Sequence, residues 1–201
     1  RHQQITGIIG ESGCGKSVLG QAILGILPDY VARSGNIFYR STDILADNTS
    51  LPGFYGQQIA LIPQNPGDSL NPLRTIGRQF DDILQTAGLN DKTNQRKQQL
   101  LTFFGLPDAE RVLAAYPHEL SGGMRQRVAI ARALTNNPDV LLMDEPFGAI
   151  DAFTRIILQK RLLDVWEKSR KTILFVTHSV DEAVYLADEI IVMGTNPGRI
   201  V

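Results

Sequence analysis

The 201-residue sequence predicts an α/β fold, a mainly parallel sheet flanked by helices. Three observations lead there. Short β-rich runs alternate with stretches of helical apolar spacing, the pattern of strands joined by crossover helices. Asp139 to Met143 is an apolar run that does not alternate, which suits a central parallel strand buried on both faces. Polar and glycine-rich clusters fall at the ends of such runs, where parallel sheets form their ligand crevices.

In chain order, Arg1 to Gln4 lead directly into the strand Ile5-Thr6-Gly7-Ile8-Ile9. Val18 to Leu27 has helical spacing and is expected to end at Pro28-Asp29. Ser34-Gly35-Asn36 then turns into the alternating strand Ile37-Phe38-Tyr39. Asp43 to Gly56 reads as loop or short helix, punctuated by Pro52-Gly53, and Gln58 to Ile62 as a strand closed by Pro63-Gln64. After the loop Asn65 to Asn71, helices are expected over Thr75 to Ala87, Lys92 to Phe104 and Asp108 to Ala115, with the polar run Asp91 to Gln99 as a solvated face. Pro117 and Ser121-Gly122-Gly123 close this helical insertion, and Met124 to Leu134 forms another helix. Beyond the Asp139 to Met143 strand comes a long amphipathic helix with Phe153, Ile156, Ile157, Leu163 and Trp166 as its apolar stripe. Thr172 to Thr177 is a strand, Asp181 to Leu186 a short helix, and Glu189 to Met193 the last strand.

A net charge of −1 argues against a general basic surface for nucleic acid. The longest apolar runs, Val140 to Met143 and Ile173 to Val176, are too short to span a bilayer, and no signal peptide is expected before the first strand. The single cysteine, Cys14, excludes an internal disulfide and suits a reducing compartment.

Gly10-Glu11-Ser12-Gly13-Cys14-Gly15-Lys16-Ser17 fits G-x-x-x-x-G-K-[ST] between a strand and a helix. Gly10, Gly13 and Gly15 let the backbone curl so that several N–H groups face one anion, and the helix opening at Lys16 adds its positive end. Lys16 supplies a mobile charge for β- and γ-phosphates, and the Ser17 hydroxyl is placed to ligate Mg²⁺. Cys14 fills a variable position of this loop, so bound nucleotide should protect it from thiol reagents. Asp144 ends an apolar strand where a carboxylate holds Mg²⁺ directly or through water. Glu145 follows; strand alternation would turn it the other way, toward an attacking water, as a general base. Gln64 and His178 also end strands and could reach a terminal phosphate or its metal. Ser121, Gly122 and Gly123 open a second helix, giving a second anion-binding N-terminus. One nucleotide needs only one cradle, so the second is expected to serve a nucleotide held by another copy.

These segments together resemble the nucleotide-binding domain of ATP-binding cassette (ABC) transporters, over essentially the whole chain and with the motifs in family order. Gly10 to Ser17 matches the Walker A loop, Gln64 the Q-loop, and Leu120 to Met124 the signature, with Met124 where Gln is commoner. Val140 to Glu145 matches Walker B and its adjacent glutamate. Ala149-Ile150-Asp151 matches the D-loop, with Ile150 where Leu is usual, and His178 the switch histidine. The resemblance implies one ABC ATPase domain over 1–201, a P-loop NTPase with core segments 1–66 and 135–201 and a helical subdomain at about 67–134. It implies a head-to-tail dimer, with itself or a related cassette, sandwiching two ATP. Glu11, Ser12 and Cys14 would complete the phosphate loop, with Asp151 at the second copy. Ser17, Gln64 and Asp144 would hold Mg²⁺. Glu145, His178, Gln64 and Lys16 would carry hydrolysis. Further partners would be transmembrane permease subunits and, indirectly, an extracytoplasmic solute-binding protein, placing the chain on the cytoplasmic face of the membrane.

The family's N-terminal antiparallel strands and their adenine-stacking aromatic are expected to be missing from this sequence. Gln64 to Gly77 and Tyr116 to Met124 resemble peptide and nickel importers, whereas Met143 to Arg155 and Pro197-Gly198-Arg199-Ile200 resemble nitrate, sulfonate and taurine importers. A non-transport ABC-type ATPase, or a truncated module with weak or no turnover, stays open as an alternative.

Overall fold

A computed structural model describes the chain except residues 1–2, 29, 47–53, 87, 89–92, 149 and 196. Pro52-Gly53, Asp29, Ala149 of the D-loop match and the start of the polar run at Asp91 therefore lie outside the described residues. Eight strands are described: β1 (Ile5–Gly10), β2 (Phe38–Tyr39), β3 (Thr42–Asp43), β4 (Ile59–Ile62), β5 (Val140–Asp144), β6 (Thr172–Thr177), β7 (Glu189–Gly194) and β8 (Arg199–Ile200). The helices are α1 (Lys16–Ile23), α2 (Ile76–Thr86), α3 (Thr93–Phe103), α4 (Ala109–Ala114), α5 (Gly122–Ala133), α6 (Ala152–Ser169) and α7 (Val180–Leu186).

Six strands form one sheet in the order β4-β5-β6-β1-β7-β8. Its pairings are parallel from β4 through β7, and β8 returns antiparallel on β7. Glu189–Gly194 is thus not the last strand; the turn after it brings Arg199 opposite Gly194. The sheet order sets β5, β6 and β1 side by side, so Asp144 pairs with Val176 and Ile9 with Thr177. The loops after these three strands consequently open at one edge of the sheet.

Pleat alternation divides the core. Leu141, Met143, Ile173 and Phe175 face a large cluster that includes Phe80, Phe104, Ile130 and Phe147. Leu142 faces the opposite cluster with Leu24, Phe54 and Ile59. Burying each such side chain contributes about 1.5–3 kcal/mol. The same large cluster takes in Ile76, Leu101 and Val112 of α2, α3 and α4, which joins the helical segment to the sheet.

Two helices differ from expectation. α1 stops at Ile23 rather than near Pro28, because Gly25 takes a left-handed φ of 66°. Gly25 N donates to Ala22 O and Ile26 N to Gln21 O, a Schellman closure that ends the helix before proline is reached. In α6 the apolar stripe holds only toward the C-terminal end, where Leu163 and Trp166 pack on the core. Phe153, Ile156 and Ile157 are exposed, at 74%, 62% and 40%. The buried positions are Leu158, Gln159 and Leu162, and one turn earlier that face carries Arg155. Polar side chains on the inward face hid it from the periodicity. Among the described residues no helix is long and apolar enough to cross a membrane.

Candidate active site

The phosphate loop joins β1 to α1 with Gly13 at φ 84° and Gly15 at φ 99°. Gly15 is the N-cap of α1 and makes no side-chain cap, leaving the first N–H groups of the helix without a side-chain acceptor from it. Gly10 is required by packing: a Cβ there would stand 2.5 Å from Met193 O and 2.8 Å from Cys14 Sγ. Lys16 folds back over the loop, its Nζ donating to Gly10 O at 2.9 Å and Glu11 O at 2.8 Å. A lysine spanning its own loop this way stands where an anion resting on the loop would meet it. Cys14 is buried beneath, with Sγ 3.7 Å from Lys16 Nζ, so a thiol reagent reaches it only if the loop opens.

Beside the loop, a cavity of about 110 Å³ is lined by Lys16, Ser17, Asp144, Leu142 and Leu174, among others. Of the three expected Mg²⁺ ligands, Ser17 and Asp144 line this one cavity, whereas Gln64 does not line it and turns its amide to Glu145. No group of three or more His, Cys, Asp or Glu among the described residues could hold a metal.

Gln64, Glu145 and His178 are brought together by adjacent strands. Gln64 Nε2 donates to Glu145 Oε2 at 3.3 Å, and His178 Nδ1 lies 3.1 Å from the same oxygen. The aim of Glu145 does not come from strand alternation. Its φ is 44°, a left-handed turn that takes it out of the pleat, while its N–H still donates to Val176 O at 2.9 Å. A non-glycine residue held there costs on the order of 1–3 kcal/mol and marks an over-determined position.

The second helix start is open. Ser121 caps α5 by accepting from Met124 N at 3.3 Å, and Ser121 and Gly122 are exposed. A Cβ on Gly122 or Gly123 would meet nothing within 4 Å. Ser121 and the two glycines make no contact with the phosphate loop in the described hydrogen bonds, whereas Gln126 of the same helix is buried and donates to Pro146 O, just after Glu145. Asp151 caps α6, accepting from Thr154 N at 2.9 Å, and that backbone N–H holds its carboxyl below the ordinary aspartate value.

Sequence reading missed the residues that fix the His178 loop. Glu182, 8% exposed, accepts from Thr177 Oγ1 at 2.7 Å and from Gln159 Nε2 at 3.2 Å. The available signal was Ser179-x-x-Glu182, the spacing of a capping box. Its serine half forms, with Glu182 N donating to Ser179 Oγ at 3.2 Å.

The fold and this site define a P-loop ATPase with an anion cradle, a carboxylate beside it and a glycine-rich second helix start. The ABC transporter family profile matches residues 1–148, and the chain belongs to that family. It is 41% identical over 196 residues to the taurine import ATP-binding protein of Rhizobium johnstonii, covering 96% of this chain and 68% of that protein. It is 38% identical over 192 residues to the dipeptide transport ATP-binding protein of Bacillus subtilis, covering 92% of this chain and 57% of that protein. The dimeric post-hydrolysis state of an ATP-binding cassette bound to ADP and Pi superposes with a TM-score of 0.81 at 27% identity, over 100% of this chain and 86% of that one.

Proposed function

We propose that the chain is the ATP-hydrolysing subunit of a solute importer, working as a head-to-tail pair of cassettes. The pair would sit on the cytoplasmic face of the membrane with permease subunits and, indirectly, a solute-binding protein. The observation that carries the hydrolytic role is the convergence of Gln64 and His178 on Glu145 Oε2 at the ends of adjacent strands.

In this reading the backbone of Gly10 to Ser17 holds the β- and γ-phosphates of ATP, and Lys16 leaves Gly10 O and Glu11 O to meet them. The donor set fits Mg²⁺: Ser17 and Asp144, with Gln64 alongside, offer the few oxygen ligands of a cation that arrives with phosphates. Bound there, Mg²⁺ supplies neutralisation of the phosphate charge. Glu145 takes the proton of the attacking water, and His178 holds the γ-phosphate in line. Ser121, Gly122 and Gly123 of the other copy close the far side, with Asp151 at the same junction. Hydrolysis is then positioning plus electrostatics.

The Glu145→Gln variant should bind ATP and dimerise, while phosphate release falls on the order of 10²–10⁴-fold. Full turnover would remove Glu145 from the base role. Transport of a small solute is supported by relatives named for taurine and for dipeptide. Co-purification of a permease and its binding protein with the chain decides between those solute classes. Little or no turnover would point instead to a truncated module, and turnover with no co-purifying permease to a cassette that moves no solute.

A further inference from the structure

Behind His178 lies a buried carboxylate that the hydrolytic reading leaves unused. Glu182 sits in α7, four residues on from the histidine, with donors from two other elements. Thr177 of β6 and Gln159 of α6 donate to its two oxygens at 2.7 and 3.2 Å, and its own N–H is capped by Ser179. Thr177 Oγ1 in turn accepts from Ser179 N at 3.0 Å, so both neighbours of His178 are tied to Glu182. The histidine side chain itself is 66% exposed, and these ties are what fix the loop that carries it.

Arg155 of α6 completes the arrangement. Its Nε is buried, has no hydrogen-bond partner, and lies 3.7 Å from Glu182 Oε1. A buried guanidinium N–H just outside bonding distance of a buried carboxylate is a contact that a small shift would close. The same side chain donates through Nη2 to Ile150 O at 3.2 Å, and Asp151 caps the helix. Arg155, His178, Glu145 and Glu182 line one small cavity of about 30 Å³.

We propose that Glu182 is the positioning residue for His178, and that Arg155 couples this positioning to the segment Ile150–Asp151, where the second copy would pack. Neither touches nucleotide. A shift of Ile150–Asp151 carries Arg155 toward Glu182, and the Thr177 and Ser179 bonds pass it to the histidine. This rests on the reading of His178 as the residue that holds the γ-phosphate.

The test uses Glu182→Gln, Arg155→Met and the double variant. In each, kcat should fall on the order of ten- to a hundredfold, with KM for ATP held within about twofold. The double variant should lose no more than Glu182→Gln alone. Because the chain has only three histidines, imidazole NMR resolves His178 without any turnover. Its signal should move in Glu182→Gln and cease to respond to Glu145→Gln, while His118 stays put. An unmoved His178 signal, an unchanged kcat, or additive losses in the double variant would overturn the proposal. If Glu182→Gln does not fold, Arg155→Met carries the same readouts, since it leaves Thr177, Gln159 and Ser179 in place. The NMR arm separates failure of this proposal from failure of the hydrolytic reading, which shows only in turnover.

Discussion

The start of α1 and the start of α5 carry the same chemistry, glycines and a hydroxyl residue at a helix N-terminus, in opposite surroundings. At α1 the glycines are accounted for locally: Gly13 and Gly15 by positive φ, Gly10 by the closeness of Met193 and Cys14. Lys16, Ser17 and Asp144 share a cavity there, with Glu145 and its two partners at the neighbouring strand ends. At α5 nothing local asks for glycine. Gly122 and Gly123 have negative φ and empty space where a side chain would go. Glycine in a helix costs up to about 1 kcal/mol relative to alanine, so a bare surface there needs a reason outside the chain. A second copy approaching closely is such a reason, and it is why we read α1 as one half of a site and α5 as the other half of a different one.

The largest expected effect separates the halves by what they do to a lone subunit. Lys16→Ala should cut turnover on the order of 10²–10³-fold and weaken ATP binding with it. Gly123→Asp should cut turnover comparably through charge and bulk at the junction, yet leave ATP binding by the monomer as it was. A fluorescent ATP analogue titrated at concentrations below dimerisation reads the difference. If Gly123→Asp weakens monomer binding, α5 belongs to its own chain's site and the contrast fails.

A second, smaller effect sharpens the same contrast through stability. Gly10→Ala forces a methyl against Met193 O and should destabilise by about 1–3 kcal/mol. For a chain of this size that lowers Tm by roughly 2–4 °C per kcal/mol. Gly123→Ala meets nothing and should leave Tm unchanged or slightly raised, since alanine favours helix. Thermal unfolding of the two variants side by side checks it. Ser121→Ala falls between, losing the Met124 N–H cap at about 0.5–2 kcal/mol.

What the sequence made legible follows the same division between local and tertiary causes. The sheet, the phosphate loop and the strand-end positions of Gln64, Asp144 and His178 were readable, because apolar runs and glycine spacing are local facts. The aim of Glu145 was not readable, because a left-handed residue leaves no mark on strand periodicity. The inward face of α6 was misread because it begins with Arg155 and includes Gln159, polar side chains turned toward Glu182, of which only Gln159 is buried and bonded to it. Glu182 is marked in the sequence only by the Ser179-x-x-Glu182 spacing, and only the approach of β6 and α6 shows its carboxylate turned to Thr177 and Gln159. β8 is two residues long and exists because the turn after β7 returns to it.

The smallest expected effect concerns Asp151, the cap at the other edge of the junction. The Thr154 N–H lowers its carboxyl pKa in the folded chain, while unfolding returns it to the ordinary aspartate value. Between those two values the unfolded state binds more protons, so stability rises with pH across that window. The contribution is fully present above the ordinary value and is lost as pH falls through the lowered one. Asp151→Asn keeps an acceptor for Thr154 N–H but removes the titration. Urea unfolding of both chains through the carboxylate range should give parallel curves above the ordinary aspartate pKa, with only the native chain showing the extra loss below it. Equal slopes throughout would mean the cap bond does not distinguish charged from neutral Asp151, and the junction would then hold no charge-dependent contact on this side.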